Sequence, residues 1–497
     1  MGMGPKLRCS SGVLLLVIFI THRSCSEKVL LVAPPRGTSH WMALADIGRA
    51  LVDRGHIVTV VVAENSVAKR RAEWPDFQFE TFQDQGVDAR NYCALLLNDS
   101  NLQSRLRTCQ YSVVISVAMF HCGAIVSAHL DSLIPHVVLT YGHPTHLDEK
   151  ATGVPLPLSY VPLIGSDFTD EMTFLQRLEN VVVYSLKSGM LRRAISSAYD
   201  ELVRTYVGEE ETLQSVTSRT ELWLLQTDNL LHYPRPRMPN MVQVGGLNAR
   251  VAAPLTEDME KFVQSSGKDG VIVVSFGSMV ETMSEDKREI FAAAFARLRQ
   301  KVLWRYVGEK PAGLGDNTKL LGWLPQNDLL AHQKTRAFIT HAGSNGLYEA
   351  LHHGVPMVCL PLFWDQPTNA ARVVARGLGV TLDFSTVTAD QLYQAILHVL
   401  TNNSCRETAA RLSRLHRDQP QSPMERAVWW IEHVIQHGGL PHLRARAVEL
   451  PWYQYYLLDV AAFLLSVCAA VLGTVWFGCS LVCRKCCTRG GGKLKTQ

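Results

Sequence analysis

The sequence predicts an α/β protein in which two doubly wound, parallel-sheet domains face each other across a cleft, with one C-terminal transmembrane helix after them. Three observations carry that reading. Residues 29–33 and 57–62 are short apolar runs flanking a helical pattern, and a second series of the same kind begins at 271–276. A proline-rich stretch separates the two series. Residues 460–482 form one long apolar run without a charge.

Taken in order, the first run ends in Pro34 and Pro35. Ser39 is placed to cap a helix that carries Met42, Leu44, Ile47 and Leu51 at helical spacing and stops at Gly55. Strand, helix and strand with short links read as a parallel crossover unit. The stretch 233–239, Tyr-Pro-Arg-Pro-Arg-Met-Pro, and then Gly245-Gly246 break regular structure and link domains. The second series continues through a helical pattern over 284–300 and strands at 302–306 and 337–340. These signals place a first domain at 27–250 and a second, with closing helices, at 251–450. In such sheets ligands sit beyond the carboxyl ends of the strands.

The two ends of the chain read as address and anchor. Lys6 and Arg8, the apolar run 13–20, and Ser24 and Ser26 at signal-peptidase spacing predict a cleaved signal peptide over 1–26. The run 460–482 is about 23 residues long, enough at about 1.5 Å per residue to cross a hydrocarbon core of about 30 Å. Trp452, Tyr453, Tyr455 and Tyr456 precede it as an interfacial cluster, and Arg484, Lys485 and Arg489 follow it. Positive charge marks the cytoplasmic side, so the body faces the lumen and 483–497 is a cytosolic tail.

Of twelve cysteines, five fall in the lumenal body: Cys93, Cys109, Cys122, Cys359 and Cys405. An odd number gives no complete disulfide framework, and Cys93 with Cys109 is the candidate pair. Cys483, Cys486 and Cys487 in the tail read either as palmitoylation sites or as merely membrane-proximal thiols. Asn98-Asp99-Ser100 and Asn402-Asn403-Ser404 are sequons that would face the lumen. The net charge of +4 over 497 residues is small, which argues against nucleic acid as a partner.

The densest signal lies at 323–366. It opens with Trp323 and Gln326 and passes through His341-Ala342-Gly343-Ser344-Asn345-Gly346 and Glu349. It closes on Asp365-Gln366. An aromatic and an amide suit a base. A glycine turn opening a helix suits phosphate, because amides and the helix dipole favour an anion there, and Gly343 allows close backbone approach. A carboxylate and an amide side by side suit sugar hydroxyls.

In this order and spacing the residues resemble the signature of the UDP-glycosyltransferases, and the chain resembles the vertebrate UDP-glucuronosyltransferase branch over nearly its whole length. The resemblance implies two facing Rossmann-like domains, the two-domain inverting glycosyltransferase fold. The acceptor lies in the first domain and the donor in the second, and the last helices, here Met424 to His437, brace the first. It implies uracil stacked on Trp323 with Gln326 on the base edge, and the diphosphate on His341, Asn345 and neighbouring amides, with Ser278 as a further phosphate contact. It places the ribose on Glu349, Arg305 near the donor, and the sugar on Asp365 and Gln366. No metal is called for, since the sequence lacks an Asp-x-Asp motif, and no cofactor beyond the UDP-sugar co-substrate, for which UDP-glucuronate is expected. The partners expected are that donor, a small lipophilic acceptor, the membrane, and an oligomer with itself or with relatives. With Lys493 and Lys495 as a dilysine retrieval signal, the resemblance implies the endoplasmic reticulum membrane.

His40, in Ser39-His40-Trp41, sits where the family places the base that deprotonates the acceptor, and an imidazole suits that task. The family pairs this base with an Asp, but here Val117 occupies that position and His121 stands where the family has Pro. Three readings follow. The acceptors need little base help, a nearby group such as His121 or Asp148 substitutes, or the chain is weakly active and regulates active relatives. Transfer of glucose, galactose or N-acetylglucosamine is the alternative within the class. Met172, Phe174 and Leu175 lie where the family keeps a membrane-contacting region and read as either lipid-facing or core.

Overall fold

The computed structural model describes residues 26–35, 38–84, 88–143, 149–277, 280 and 282–489. The signal-peptide reading, Ser278, Asp148 and the dilysine tail therefore lie outside the described residues.

Two parallel sheets organise the chain. The first contains β1 (Lys28–Val32), β2 (Ile57–Ala63), β3 (Gln78–Phe82), β4 (Val113–Val117), β5 (His136–Thr140), β6 (Leu222–Leu225) and β7 (Met241–Gln243), in the order β3-β2-β1-β4-β5-β6-β7. The second contains β8 (Val271–Ser275), β9 (Lys301–Arg305), β10 (Thr318–Leu321), β11 (Thr335–Thr340), β12 (Met357–Cys359) and β13 (Gly379–Thr381), in the order β10-β9-β8-β11-β12-β13. The runs are apolar at successive positions because both faces of each sheet are covered. Along β1, Val29 and Leu31 join Trp41, Ile47 and Ile431 on one face, while Leu30 and Val32 join Tyr92 and Tyr199 on the other.

The order reverses between β1 and β4 in the first sheet and between β8 and β11 in the second. Crevices open beyond the strand ends at such points. His40 follows β1, while Gly277 and His341 follow β8 and β11, so topology alone brings the chemical segments to the two crevices.

The helix Pro423–His437 returns to the first sheet. A Ser422–Glu425 capping box starts it, and Gly438 in the left-handed conformation ends it. Its Val428, Ile431 and Val434 enter the first core, and Glu432 accepts two hydrogen bonds from Arg54 at 2.9 and 2.7 Å.

Four local expectations change. Ser39, expected to cap the first helix, lies inside the first turn of the helix Thr38–Asp53. The disulfide joins Cys93 to Cys122, with Cα atoms 5.5 Å apart, and Cys109 is free. The helix Ser100–Cys109 carries Cys109 back to the start of the first sheet, where its carbonyl accepts from Lys28 Nζ at 2.9 Å. Cys122 instead opens the helix after β4, at the other end of the sheet. The helical pattern over 284–300 shortens to Glu285–Ala296. Met172 is core, whereas Phe174 and Leu175 are each 70% exposed at the start of the helix Phe174–Tyr206.

Among the described residues one helix, Leu458–Cys486, is long and apolar enough to cross a membrane, with a mean hydropathy of 2.3.

Candidate functional site

A cleft with about 610 Å³ of space unfilled by atoms, part of it open to solvent, lies between the two halves. Tyr141, His143 and Leu163 line it from the first half, and Ser344, Asp365, Asn369 and Arg372 from the second. The halves are fastened at its rim. Thr368 Oγ1 accepts from the Gly165 N–H at 2.9 Å and donates to the Ser166 carbonyl at 2.7 Å.

The glycine turn that opens the helix Ser344–His353 is built around His341. Gly277 has φ +76°, and a Cβ there would stand 2.7 Å from the His341 ring. A Cβ on Gly343 would stand 2.4 Å from Nε2 of the same ring. Neither position has room for a Cβ while the imidazole keeps this place, and Ala342, between His341 and Gly343, takes φ +63° just ahead of the helix Ser344–His353. Burial holds the His341 imidazole down at about 4, and the Arg305 charge adds to the effect, so the ring is neutral at pH 7.

Arg305 ends β9 and hydrogen-bonds the Gly277 carbonyl. Its guanidinium carbon lies 5.3 Å from the centroid of the Trp323 ring. Trp323 is 59% exposed and offers a flat face backed by a cation. Gln326 Nε2 donates to Glu349 Oε2 at 2.6 Å, and Asn248 Nδ2 donates to Glu349 Oε1 at 2.7 Å. Burial pushes the Glu349 carboxyl up to about 7, and the two amide donors pull against it.

Asp365 accepts from Ser344 Oγ at 3.0 Å and from Asn369 Nδ2 at 2.8 Å, and burial raises its carboxyl above the usual range. The Gln366 carbonyl accepts from the Leu362 and Phe363 N–H groups at 2.8 and 3.2 Å. Its NH2 is the part of that amide able to donate to a ligand. Asn345 faces the Tyr141 hydroxyl across the cleft.

His40 sits in the first turn of the helix Thr38–Asp53. Ser39 Oγ lies 3.4 Å from its Nδ1, and the Tyr141 ring packs against it with centroids 4.2 Å apart. Burial lowers the imidazole to about 4, so it is neutral and able to accept a proton at pH 7. Val117 is 2% exposed and offers His40 no acceptor. The His121 ring packs edge-on against Tyr199 with centroids 5.7 Å apart.

Four contributors escaped sequence reasoning. Asn248 follows the Gly245-Gly246 turn, Tyr141 follows β5, and Arg235 and Arg372 approach the cleft from the proline-rich link and the helix Gln366–Ala375. Among the described residues, Arg235 Nε and Nη2 and Arg372 Nε are buried without a hydrogen-bond partner. Burial lowers the Arg235 guanidinium to about 10, and His143 beside it is held well below the usual imidazole value by burial and by the Arg235 and Arg372 charges.

Comparison with known proteins identifies the family and the fold. The chain is 39% identical over 530 residues to UDP-glucuronosyltransferase 1-2 of Rattus norvegicus, covering 99% of this chain and 98% of that protein. It is also 39% identical over 493 residues to UDP-glucuronosyltransferase 2C1 of Oryctolagus cuniculus, covering 91% and 98%. Among solved structures, the glycosyltransferase of kitacinnamycin superposes with a TM-score of 0.60 at 21% identity, covering 82% of this chain and 98% of that one. The calicheamicin glycosyltransferase CalG4 superposes with a TM-score of 0.57 at 18% identity, covering 83% and 99%. These two show the shared two-domain fold. The model of the UDP-glucoronosyl and UDP-glucosyl transferase family matches residues 27–90 and 84–493, and the chain belongs to that family of glycosyltransferases, which transfer sugars from UDP.

Proposed function

We propose that the chain transfers glucuronate from UDP-glucuronate to small lipophilic acceptors, with inversion at the anomeric carbon. Uracil stacks on Trp323 with Gln326 at its edge, the ribose hydroxyls donate to Glu349, and the diphosphate lies on the amides that open the helix Ser344–His353, beside His341 and Asn345. Asp365 and Gln366 hold the sugar. His40 takes the acceptor's hydroxyl proton as that oxygen bonds to the anomeric carbon, and the electron pair of the broken C–O bond leaves on the UDP phosphate. A helix N-terminus stabilises that leaving charge.

One observation favours glucuronate over a neutral sugar. Arg235 and Arg372, both half-buried, line the same cleft as Asp365; Arg372 Nη1 donates to Asn369 Oδ1 at 3.0 Å, while Arg235 Nε and Nη2 and Arg372 Nε have no hydrogen-bond partner among the described residues. Glu149 and Asp365 stand beside these cations in the cleft, and the open guanidinium N–H groups are donors that a glucuronate carboxylate matches in charge and the hydroxymethyl of glucose does not. Competition among UDP-sugars for the full chain tests this. UDP-glucuronate should displace bound UDP-glucose, and Arg235→Leu should erase the preference. Equal affinities in the wild type would contradict it.

The apolar helix Leu458–Cys486 fits a single-pass anchor, with the body in the lumen of the endoplasmic reticulum. Phe174, Leu175, Leu178, Leu186 and Met190 on the helix Phe174–Tyr206 are exposed apolar side chains, suited to resting on lipid from which acceptors arrive. A second reading, a weakly active partner of related enzymes, draws on Val117. Co-expression with an active relative separates the two.

A further inference from the structure

The His40 base, on which this inference rests, lacks the carboxylate that the resemblance leads one to expect at Val117. The β4–β5 register pairs Val117 with Leu139, so Tyr141 is the next position on the same face of the sheet. Its ring centroid lies 4.2 Å from that of His40 with the planes 51° apart. Its hydroxyl donates to the Ser39 carbonyl at 2.7 Å, tying down the residue immediately before the base.

We propose that Tyr141 is the positioning residue for His40 and takes over the orienting and charge-stabilising work of the absent carboxylate. Two physical effects support the assignment. A cation within about 6 Å of an aromatic centroid is attracted to the ring, more strongly where water is excluded, so the imidazolium formed as His40 takes the proton is favoured by the Tyr141 ring. The hydroxyl acts separately. It stays protonated, because burial raises it above the ordinary phenol value, and so remains a donor that fixes the first turn of the helix Thr38–Asp53. Gln226 and Asn345 also face this hydroxyl, which places the tyrosine between the base and the opening of the helix Ser344–His353.

The experiment uses the full chain in detergent-opened microsomes, with UDP-glucuronate and a simple phenol. The expected result is that Tyr141→Ala lowers kcat about 10-fold or more with the donor KM unchanged within about twofold, while Tyr141→Phe, which keeps the ring, loses about threefold or less. Adding Val117→Asp to Tyr141→Ala should recover most of the lost kcat, which repair of a packing defect would not do. Wild-type kcat in Tyr141→Ala, with His40→Ala inactive, overturns the proposal and leaves the base reading standing. A loss in Tyr141→Ala that Val117→Asp does not restore also overturns it, as does a wild type that transfers only once Val117→Asp is made. Transfer unaffected by His40→Ala, or absent with and without Val117→Asp, overturns the base reading and the proposal with it.

Discussion

Gln326 and Glu349 are joined by a 2.6 Å hydrogen bond between elements 23 residues apart in sequence, with the Gln326 amide as donor. This bond and the 2.7 Å bond from Asn248 hold both oxygens of a carboxyl that burial has raised to about 7. Ribose hydroxyls donate to a carboxylate and stabilise its charged form, so UDP binding should lower this pKa and release a proton. The sign follows: UDP affinity rises as pH is raised through about 7 and weakens below it. Calorimetry near pH 6.5, in buffers of different ionisation heat, should record net proton release. Gln326→Ala removes a donor that favours the charged form and should move the midpoint to higher pH.

The Arg305–Trp323 pair should govern affinity for the nucleotide rather than choice of sugar. Trp323→Ala removes a stacking platform worth about 1–3 kcal/mol. Arg305→Leu removes the cation 5.3 Å from the ring centroid and should cost about 0.5–2 kcal/mol. Both should weaken UDP binding with the ranking of UDP-sugars unchanged. A changed ranking would place the pair nearer the sugar than proposed.

Gly343→Ala should disrupt the His341 turn although the glycine backbone is not left-handed. The new Cβ meets Nε2 at 2.4 Å, and overpacking of this kind costs about 1–3 kcal/mol. Gly189, inside the helix Phe174–Tyr206, has nothing within 4 Å of a built Cβ. Gly189→Ala should therefore stabilise by about 0.5–1 kcal/mol. Thermal unfolding of the two variants should move in opposite directions.

Much of the fold was legible because its signals are local. Apolar runs such as 271–276, helical spacing after Ser39 and the break at 233–239 are each written in a few consecutive residues. The turn at His341 was legible for the same reason, since Gly343 and the start of a helix sit side by side in sequence. What escaped depends on approach in space. Cys93 finds Cys122 rather than Cys109 because the helix Ser100–Cys109 runs to the wrong end of the sheet. Tyr141 meets His40 only because β4 pairs with β1 and β5 lies next beyond β4. Arg235 reads as linker charge until the second half closes over it.

The corrected disulfide gives its own test. Peptide mapping without reduction should recover Cys93 linked to Cys122 and Cys109 as a free thiol. Cys93→Ser should cost about 2–4 kcal/mol, as expected for closing a loop across a separation of 29 residues. Cys109→Ser should leave stability within about 0.5 kcal/mol.

Sugar transfer by detergent-opened microsomes expressing the full chain, supplied in parallel with UDP-glucuronate and UDP-glucose and a simple phenol, beside His40→Ala, bears on both the donor and the base. Transfer of glucuronate in preference to glucose is expected, lost in His40→Ala while UDP binding is retained. Folded protein that binds UDP yet transfers neither sugar, or transfer that survives His40→Ala, would contradict the proposed function.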